Sequence, residues 1–255
     1  MKKSPLSFWI TVFVLIFLYV PILVLIINSF NDSRFGGQWV GFTYKWYDRL
    51  WNEHKMWYAL RNSLIVGVSA TIVSTFLGTC AAFALHLYKS KLQNFHYGLI
   101  YTPLLIPDIL TGISLLLFFV TVNVKLGLFT VFIAHTTFCM SYVTMVMLSK
   151  LQNFDFTLIE AAQDLGANTW TLIKKILLPL LAPGLMTGAL LAFILSIDDF
   201  VITFFVAGQG VLTLPVYVYN MIKFGSTPIV NALSVLILGV TFVFIFFTQR
   251  LSKED

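Results

Sequence analysis

Glu160-Ala161-Ala162-Gln163-Asp164-Leu165-Gly166, running on through Ala167-Asn168 to Ile176-Leu177-Leu178-Pro179, is a polar island in a very apolar chain. Long hydrophobic runs flank it on both sides, so it reads as a loop outside a membrane. Two short helices are expected in it. The first covers Phe156–Leu165 and stops at Gly166, where a left-handed backbone costs glycine little. The second covers Thr169–Leu178, with Asn168 as its N-cap and Pro179 at the return into the membrane. Glu160 and Asp164 are four apart and share a face, while Ala161, Ala162 and Leu165 offer a small apolar surface. The combination reads as a docking knob, set against the plainer reading of a helical loop between spans.

The chain has 255 residues, of which 58% are hydrophobic, only 11% are charged and 25 are Phe. A soluble domain of this size needs far more charge to cover its surface. The formal charge of +5 is spread over scattered basic residues with no run of five, so it is not a nucleic-acid footprint. Cys80 and Cys139 both fall inside apolar runs and read as small buried hydrophobes rather than a disulfide framework.

Lys2 and Lys3 precede an uncharged run from Ser4 to Ile27. It is too long for the core of a signal peptide and no small-x-small cleavage site follows, so it reads as an uncleaved first span, residues 8–27, kinked at Pro21. A polar segment with Gly36-Gly37 and an aromatic-basic patch, Tyr44-Lys45-Trp46-Tyr47, comes next. Further spans are expected at 64–85, 97–122, 126–148, 180–206 and 229–247, with the signature loop at 150–179. Leu214–Phe224 reads as an amphipathic piece. The expected fold is all-α: one domain, 1–255, of six transmembrane helices. With the N-terminus inside, the inner segments hold nine Lys and Arg (Lys2, Lys3, Lys89, Lys91, Lys150, Lys174, Lys175, Arg250 and Lys253) and the outer ones seven. Five of those seven belong to the first outer segment; without it the ratio is nine to two, which puts both termini and the Glu160 loop on the inner side.

Asp108, Asp198 and Asp199 are the charged residues within the expected spans. A carboxylate there costs roughly 2.5–3.5 kcal/mol on insertion scales, so it should face a cavity or a partner. Asp108 is expected near mid-bilayer behind Pro103 and Pro107, which loosen the backbone as in broken helices lining a path. Asp198 and Asp199 lie nearer the outer side. No Lys or Arg lies in a span to pair with these acids, which favours a cationic ligand over capping or protonated carboxylates. Neighbours on a helix point about 100° apart. Asp199 therefore shares a polar stripe with Ser196 and Thr203, while Asp198 is left to cap a helix or meet a partner. Trp46 admits two readings, an interfacial belt residue or a cation–π step at the entrance for an amine.

Several chemistries are missing. No Gly-Lys dipeptide occurs, so there is no phosphate-binding loop of that kind. The four histidines, His54, His86, His96 and His135, show no metal-ligand spacing, and His135 reads as a hydrogen-bonded bundle residue. No metal site or catalytic residue is assigned.

The order Glu-Ala-Ala, three residues, Gly, nine residues, Ile-x-Leu-Pro resembles the signature loop of permease subunits of ATP-binding-cassette importers, and Glu160, Ala161, Ala162, Gly166, Ile176, Leu178 and Pro179 all match it. Further stretches, Tyr19–Tyr47, Pro107–Phe119 (PDILTGISLLLFF), Ser196–Gly208 (SIDDFVITFFVAG) and Leu214–Ser234, look like the spermidine/putrescine importer permeases, closest to the second of their two permease subunits. The resemblance implies a type I importer permease fold in a bacterial cytoplasmic membrane. It implies that Glu160, Ala161, Ala162, Asp164 and Gly166 couple to an ATPase, with Trp46, Asp108, Ser196, Asp198 and Asp199 along the substrate path. Implied partners are a homologous permease, two ATPase copies that bind ATP and Mg, a periplasmic or surface-tethered binding protein, and membrane lipid. This chain itself holds no cofactor. Importers of iron(III) or thiamine share the frame, and the acids fit a polyamine better than an anion. A secondary transporter would show internal inverted repeats. An intramembrane aspartyl protease would need two carboxylates converging on one proton; neither pattern is seen here.

Overall fold

A computed structural model describes residues 5–34, 38–88, 91–225 and 227–251, with the side chains of 5–7, 227 and 243–251 left out. Lys2, Lys3, Gly36, Gly37, Lys89 and Lys253 lie outside the described residues, as does the side chain of Arg250. The described residues are helix and loop, with one isolated antiparallel bridge between Asn31 and Phe42. The helices are α1 (Pro5–Ser29), α2 (Lys45–Trp51), α3 (His54–Leu87), α4 (Gln93–Leu105), α5 (Asp108–Thr121), α6 (Leu128–Gln152), α7 (Thr157–Asp164), α8 (Thr169–Leu172), α9 (Leu178–Asp198), α10 (Val201–Val206), α11 (Leu214–Lys223) and α12 (Thr227–Leu251). Among the described residues four helical stretches are long and apolar enough to cross a membrane, and the bent pair α4–α5 makes a fifth if counted as one span. The sixth expected span falls in α12, whose 25-residue backbone is about 37 Å long; its described apolar stretch is Pro228–Phe242.

Where the sequence suggests one domain, packing separates two compact units, 1–57 with 217–255 and 58–216. In the first, α1 and α2 pack on α12. α1 runs unbroken through Pro21 and is mostly exposed from Phe8 to Ile27, as a face bathed in lipid would be. The segment between α1 and α2 is tied by Asn31. Its Nδ2 donates to the Gln38 carbonyl (2.7 Å), and its Oδ1 accepts from the Val40 N–H (3.0 Å) and the Ser33 N–H (3.2 Å).

In the second unit α6 is the central helix, burying Val131, Ala134, His135, Cys139, Val143, Met147 and Leu151 among others. With apolar lipid outside, close packing rather than water exclusion holds such helices together, and small residues permit it. Gly188 lies against Val143 and Gly184 against the Lys150 stem and Met147, which lets α9 approach α6 closely. Gly78 does the same for α3; a Cβ there would stand 2.8 Å from the Val143 Cβ and 2.9 Å from the Met140 carbonyl oxygen. Gly112 seats α5 on α10, 2.8 Å from the Phe205 ring by the same measure and 3.3 Å from the Ile202 Cα.

Three expectations change. The third span is not continuous, because α4 and α5 meet at 110°. Ile106 precedes Pro107 and is driven out of the helical region, to φ −78°, ψ 134°. Asp108 therefore opens a helix instead of sitting inside one. The fifth span is also broken, with Asp199 extended (ψ 119°) between α9 and α10. Finally, Thr169–Leu178 is not a separate helix ended by Pro179. α8 passes through a π-helical turn, Ile173–Leu177, straight into α9. Proline offers no N–H and crowds the carbonyl four residues back, here Lys175; the widened turn at that point accommodates both.

Candidate functional site

The signature loop forms a protruding helix. Phe154 and Phe156 anchor its base in the core of the second unit, and the Phe156 ring stacks on His86 at 5.1 Å. Asp155 is exposed; its Oδ1 accepts from the Thr157 N–H (3.0 Å) and hydroxyl (2.7 Å), and these bonds, hydroxyl first, hold its carboxyl below the ordinary value. α7 ends as the sequence predicts. Gly166 has φ +81°, its N–H donates to the Gln163 carbonyl (2.8 Å), and the Ala167 N–H reaches back to Ala162 (3.0 Å). Asn168 then caps the next helix, its Oδ1 accepting from the Thr171 N–H at 2.9 Å. Glu160, Ala161 and Asp164 are exposed and Ala162 is half-buried. Leu165 and Trp170 stand out at 89% and 70% exposure, an apolar tip unsatisfied within this chain. The sequence reading passed over Trp170.

The acids sit at the two helix breaks. Gly112, one turn into α5, rests against Ile202 and Phe205, so α5 and α10 pack closely. Asp108 opens α5, and Asp198 and Asp199 immediately precede α10. Asp108 and Asp198 are exposed and have no hydrogen-bond or ion-pair partner among the described residues. Asp199 is different. Its Oδ2 accepts from the Thr203 N–H and hydroxyl, both at 2.8 Å, and its Oδ1 from the Ile202 N–H at 3.2 Å. It is thus the cap of α10, a role the sequence reading left to Asp198. Across from it, His135 on α6 lies with Nε2 3.2 Å from Asp199 Oδ2 and 2.9 Å from Thr203 Oγ1, and with Nδ1 2.6 Å from Ser196 Oγ. The expected polar stripe Ser196–Asp199–Thr203 is present, but it faces His135 rather than an open path. Ser196 is 4% exposed and the Asp199 side chain 8%.

Trp46 is also corrected. It is 4% exposed, and its Nε1–H donates to the Asn31 carbonyl at 2.8 Å. The Lys45 ammonium and the Arg49 guanidinium already lie over its ring, 4.6 and 5.1 Å from the centroid. A belt residue would be exposed, and an amine-binding ring would need an open face. Trp46 instead pins the loop after α1. A cavity of about 480 Å³ opens between α3, α4 and α6, lined by Leu85, Tyr88, His96, Ile100, Pro103 and Met140 among others, and none of the acids reaches it.

The comparisons with known proteins agree with this architecture. The chain is 39% identical over 238 residues to the spermidine/putrescine transport system permease protein PotC of Escherichia coli K12, covering 93% of this chain and 90% of that one. It is 38% identical to the putrescine transport system permease protein PotI of the same organism, covering 99% and 94%. In fold it is similar to a bacterial ABC transporter involved in import of the acidic polysaccharide alginate (TM-score 0.74, 18% identity, 98% of each chain) and to the MetNI methionine ABC transporter (TM-score 0.60, 20% identity, 77% of this chain and 92% of that one). Residues 74–253 match the family described as binding-protein-dependent transport system inner membrane component, and the chain belongs to that family.

Proposed function

We propose that this chain is the permease subunit of an ATP-driven importer and that its cargo is a polyamine of the spermidine/putrescine type. The observation that carries the reading is α7, a short exposed helix anchored at its base, closed at Gly166 and tipped by Leu165. Such a knob fits a groove on a partner ATPase, which would bind the ATP and Mg; this chain has no phosphate loop of its own. The naming of polyamines in relatives that match over nine-tenths of both chains supports the choice of cargo. The two helix breaks supply matching chemistry, because Asp108 and Asp198 present unpaired carboxylates to an ammonium group. Weak attraction at several points lets a multivalent cation pass without being trapped.

On this reading both termini and α7 lie on the cytoplasmic side of the inner membrane. A homologous permease, two ATPase subunits and a substrate-binding protein complete the assembly. ATP binding closes the ATPases, α7 carries the movement into the bundle, and the breaks turn outward to receive cargo.

The test is uptake into proteoliposomes holding the full assembly, with ATP inside and the binding protein outside. Radiolabelled spermidine and putrescine should accumulate, and thiamine and iron(III) should not. Asp108→Asn and Asp198→Asn should reduce polyamine uptake several-fold at unchanged complex yield. Uptake of thiamine or iron in place of polyamines would overturn the cargo, and ATP-independent uptake would overturn the class.

A further inference from the structure

His135 lies in the first third of α6, buried to 1% exposure, and the transport scheme above makes no use of it. Its two ring nitrogens reach both sides of the break in the fifth span. Nδ1 meets Ser196 on the last turn of α9, and Nε2 meets Asp199 at the break and Thr203 on α10. The donors and acceptors close with a neutral imidazole. Asp199 as a carboxylate only accepts, so Nε2 carries the hydrogen. The Thr203 hydroxyl gives its proton to Asp199 and offers a lone pair to Nε2–H. Nδ1 then accepts from the Ser196 hydroxyl. Asp199 receives four donors in all, from His135, from the Thr203 N–H and hydroxyl, and from the Ile202 N–H. Its neighbour Asp198 receives none among the described residues and is exposed.

We propose that His135 is a positioning residue for transport: by bridging Ser196 and Asp199 it fixes the α9–α10 break and divides the adjacent acids, committing Asp199 to the cap and leaving Asp198 as the carboxylate that meets a cationic substrate. This rests on the polyamine reading for the identity of the substrate, but not for the division of the two acids. A buried carboxylate surrounded by fixed donors has little to gain from an arriving ammonium, which would have to shed its water and displace them. An exposed one keeps its full attraction.

The experiment is carboxyl labelling of the assembled complex with a water-soluble cationic carbodiimide and an amine nucleophile, read by peptide fragmentation. Labelling a buried group waits on local opening, so a tenfold deficit needs only about 1.4 kcal/mol. In the native complex Asp198 should label at least about tenfold faster than Asp199. In His135→Ala the ratio should fall to within about threefold and uptake should drop. His135→Gln, which keeps an N–H near the Nε2 position, should restore both. A purely structural role for His135 predicts lower complex yield, with the labelling ratio unchanged in whatever assembles. Equal labelling of the two acids in the native complex overturns the proposal without any variant, as does a ratio that persists in His135→Ala. Saturating spermidine should slow labelling of Asp198 alone. If it protects neither acid while the His135 effect stands, the polyamine reading fails and the division of the acids survives.

Discussion

Two short helices in this chain, α7 and α10, begin on an aspartate–threonine pair, and they do so in opposite surroundings. At α7, Asp155 accepts from the N–H and hydroxyl of Thr157 at 3.0 and 2.7 Å, out in solvent. At α10, Asp199 accepts from the N–H and hydroxyl of Thr203, both at 2.8 Å, inside the bundle. The bonds are nearly the same length, and their consequences are not. Water supplies the remaining needs of Asp155 and screens its charge, so its cap is a local stop and little more. Asp199 has no such supply and takes its further donors from Ile202 and His135. Burial turns a helix-starting device into a fixed joint between three helices.

The contrast predicts a graded series. The largest effect belongs to Asp199→Ala, which strands buried donors on His135, Ile202 and Thr203, each costing about 1–3 kcal/mol. Thermal unfolding of the detergent-solubilised complex should fall by several degrees, and Asp199→Asn, which keeps an acceptor for α10, should lose less. An unchanged melting temperature in Asp199→Ala would remove the distinction between the two joints. Next comes Gly166→Val. No atom lies within 4 Å of a Cβ at that position, so the cost is backbone alone, about 1–2 kcal/mol for a left-handed residue and more with a β-branch. Insertion should be intact while co-purification of the ATPase, or substrate-stimulated hydrolysis, is lost; normal coupling would show that the glycine stop is dispensable. Asn168→Ala should cost about 1 kcal/mol as a lost cap, visible as faster protease nicking around Leu165–Trp170 in the free permease.

The smallest effect is at Asp155. Its carboxyl is held below the ordinary value, so its bonds favour the folded loop above that value, near pH 4, and are lost as the pH falls through the lowered one. Amide exchange in α7, corrected for intrinsic rates, should rise on acidification, and Thr157→Val should flatten the response. A flat profile in the native chain would mean that the cap contributes nothing in water.

The stop at Gly166 and the cap at Asn168 were legible in the sequence, the Asp155–Thr157 pair was not singled out, and the buried joint was legible only in part. Gly166 and Asn168 act through their own backbone neighbours, so the order of residues states their roles. The stripe Ser196–Asp199–Thr203 was equally visible, because its spacing is helical. What it faces was not, since His135 is 61 residues from Ser196 in the chain and carries no spacing signal. For the same reason the capping role, one of two alternatives offered to Asp198, falls to Asp199. Pro107 marked a weak point, but how sharply α4 and α5 turn there, 110°, is not written in the residue order. Trp46 misled because an aromatic beside Lys45 suggests an open surface, whereas its partner Asn31 lies across the loop.

The run from Thr169 to Asp198 deserves to be seen as a machine part. Thirty residues of unbroken helix form a rod about 45 Å long. One end begins just beyond Gly166, which closes α7, and the other ends at Asp198. Two features interrupt the rod's regularity, the π turn at Ile173–Leu177 and Pro183. The π turn at Ile173–Leu177 holds one residue more than an α-turn needs. Passing that surplus residue onward would turn the far end by about 100° relative to the near end. Ile173-Lys174-Lys175-Ile176-Leu177 is therefore the one place between Thr169 and Asp198 where a change of register would rotate Asp198 about the helix axis.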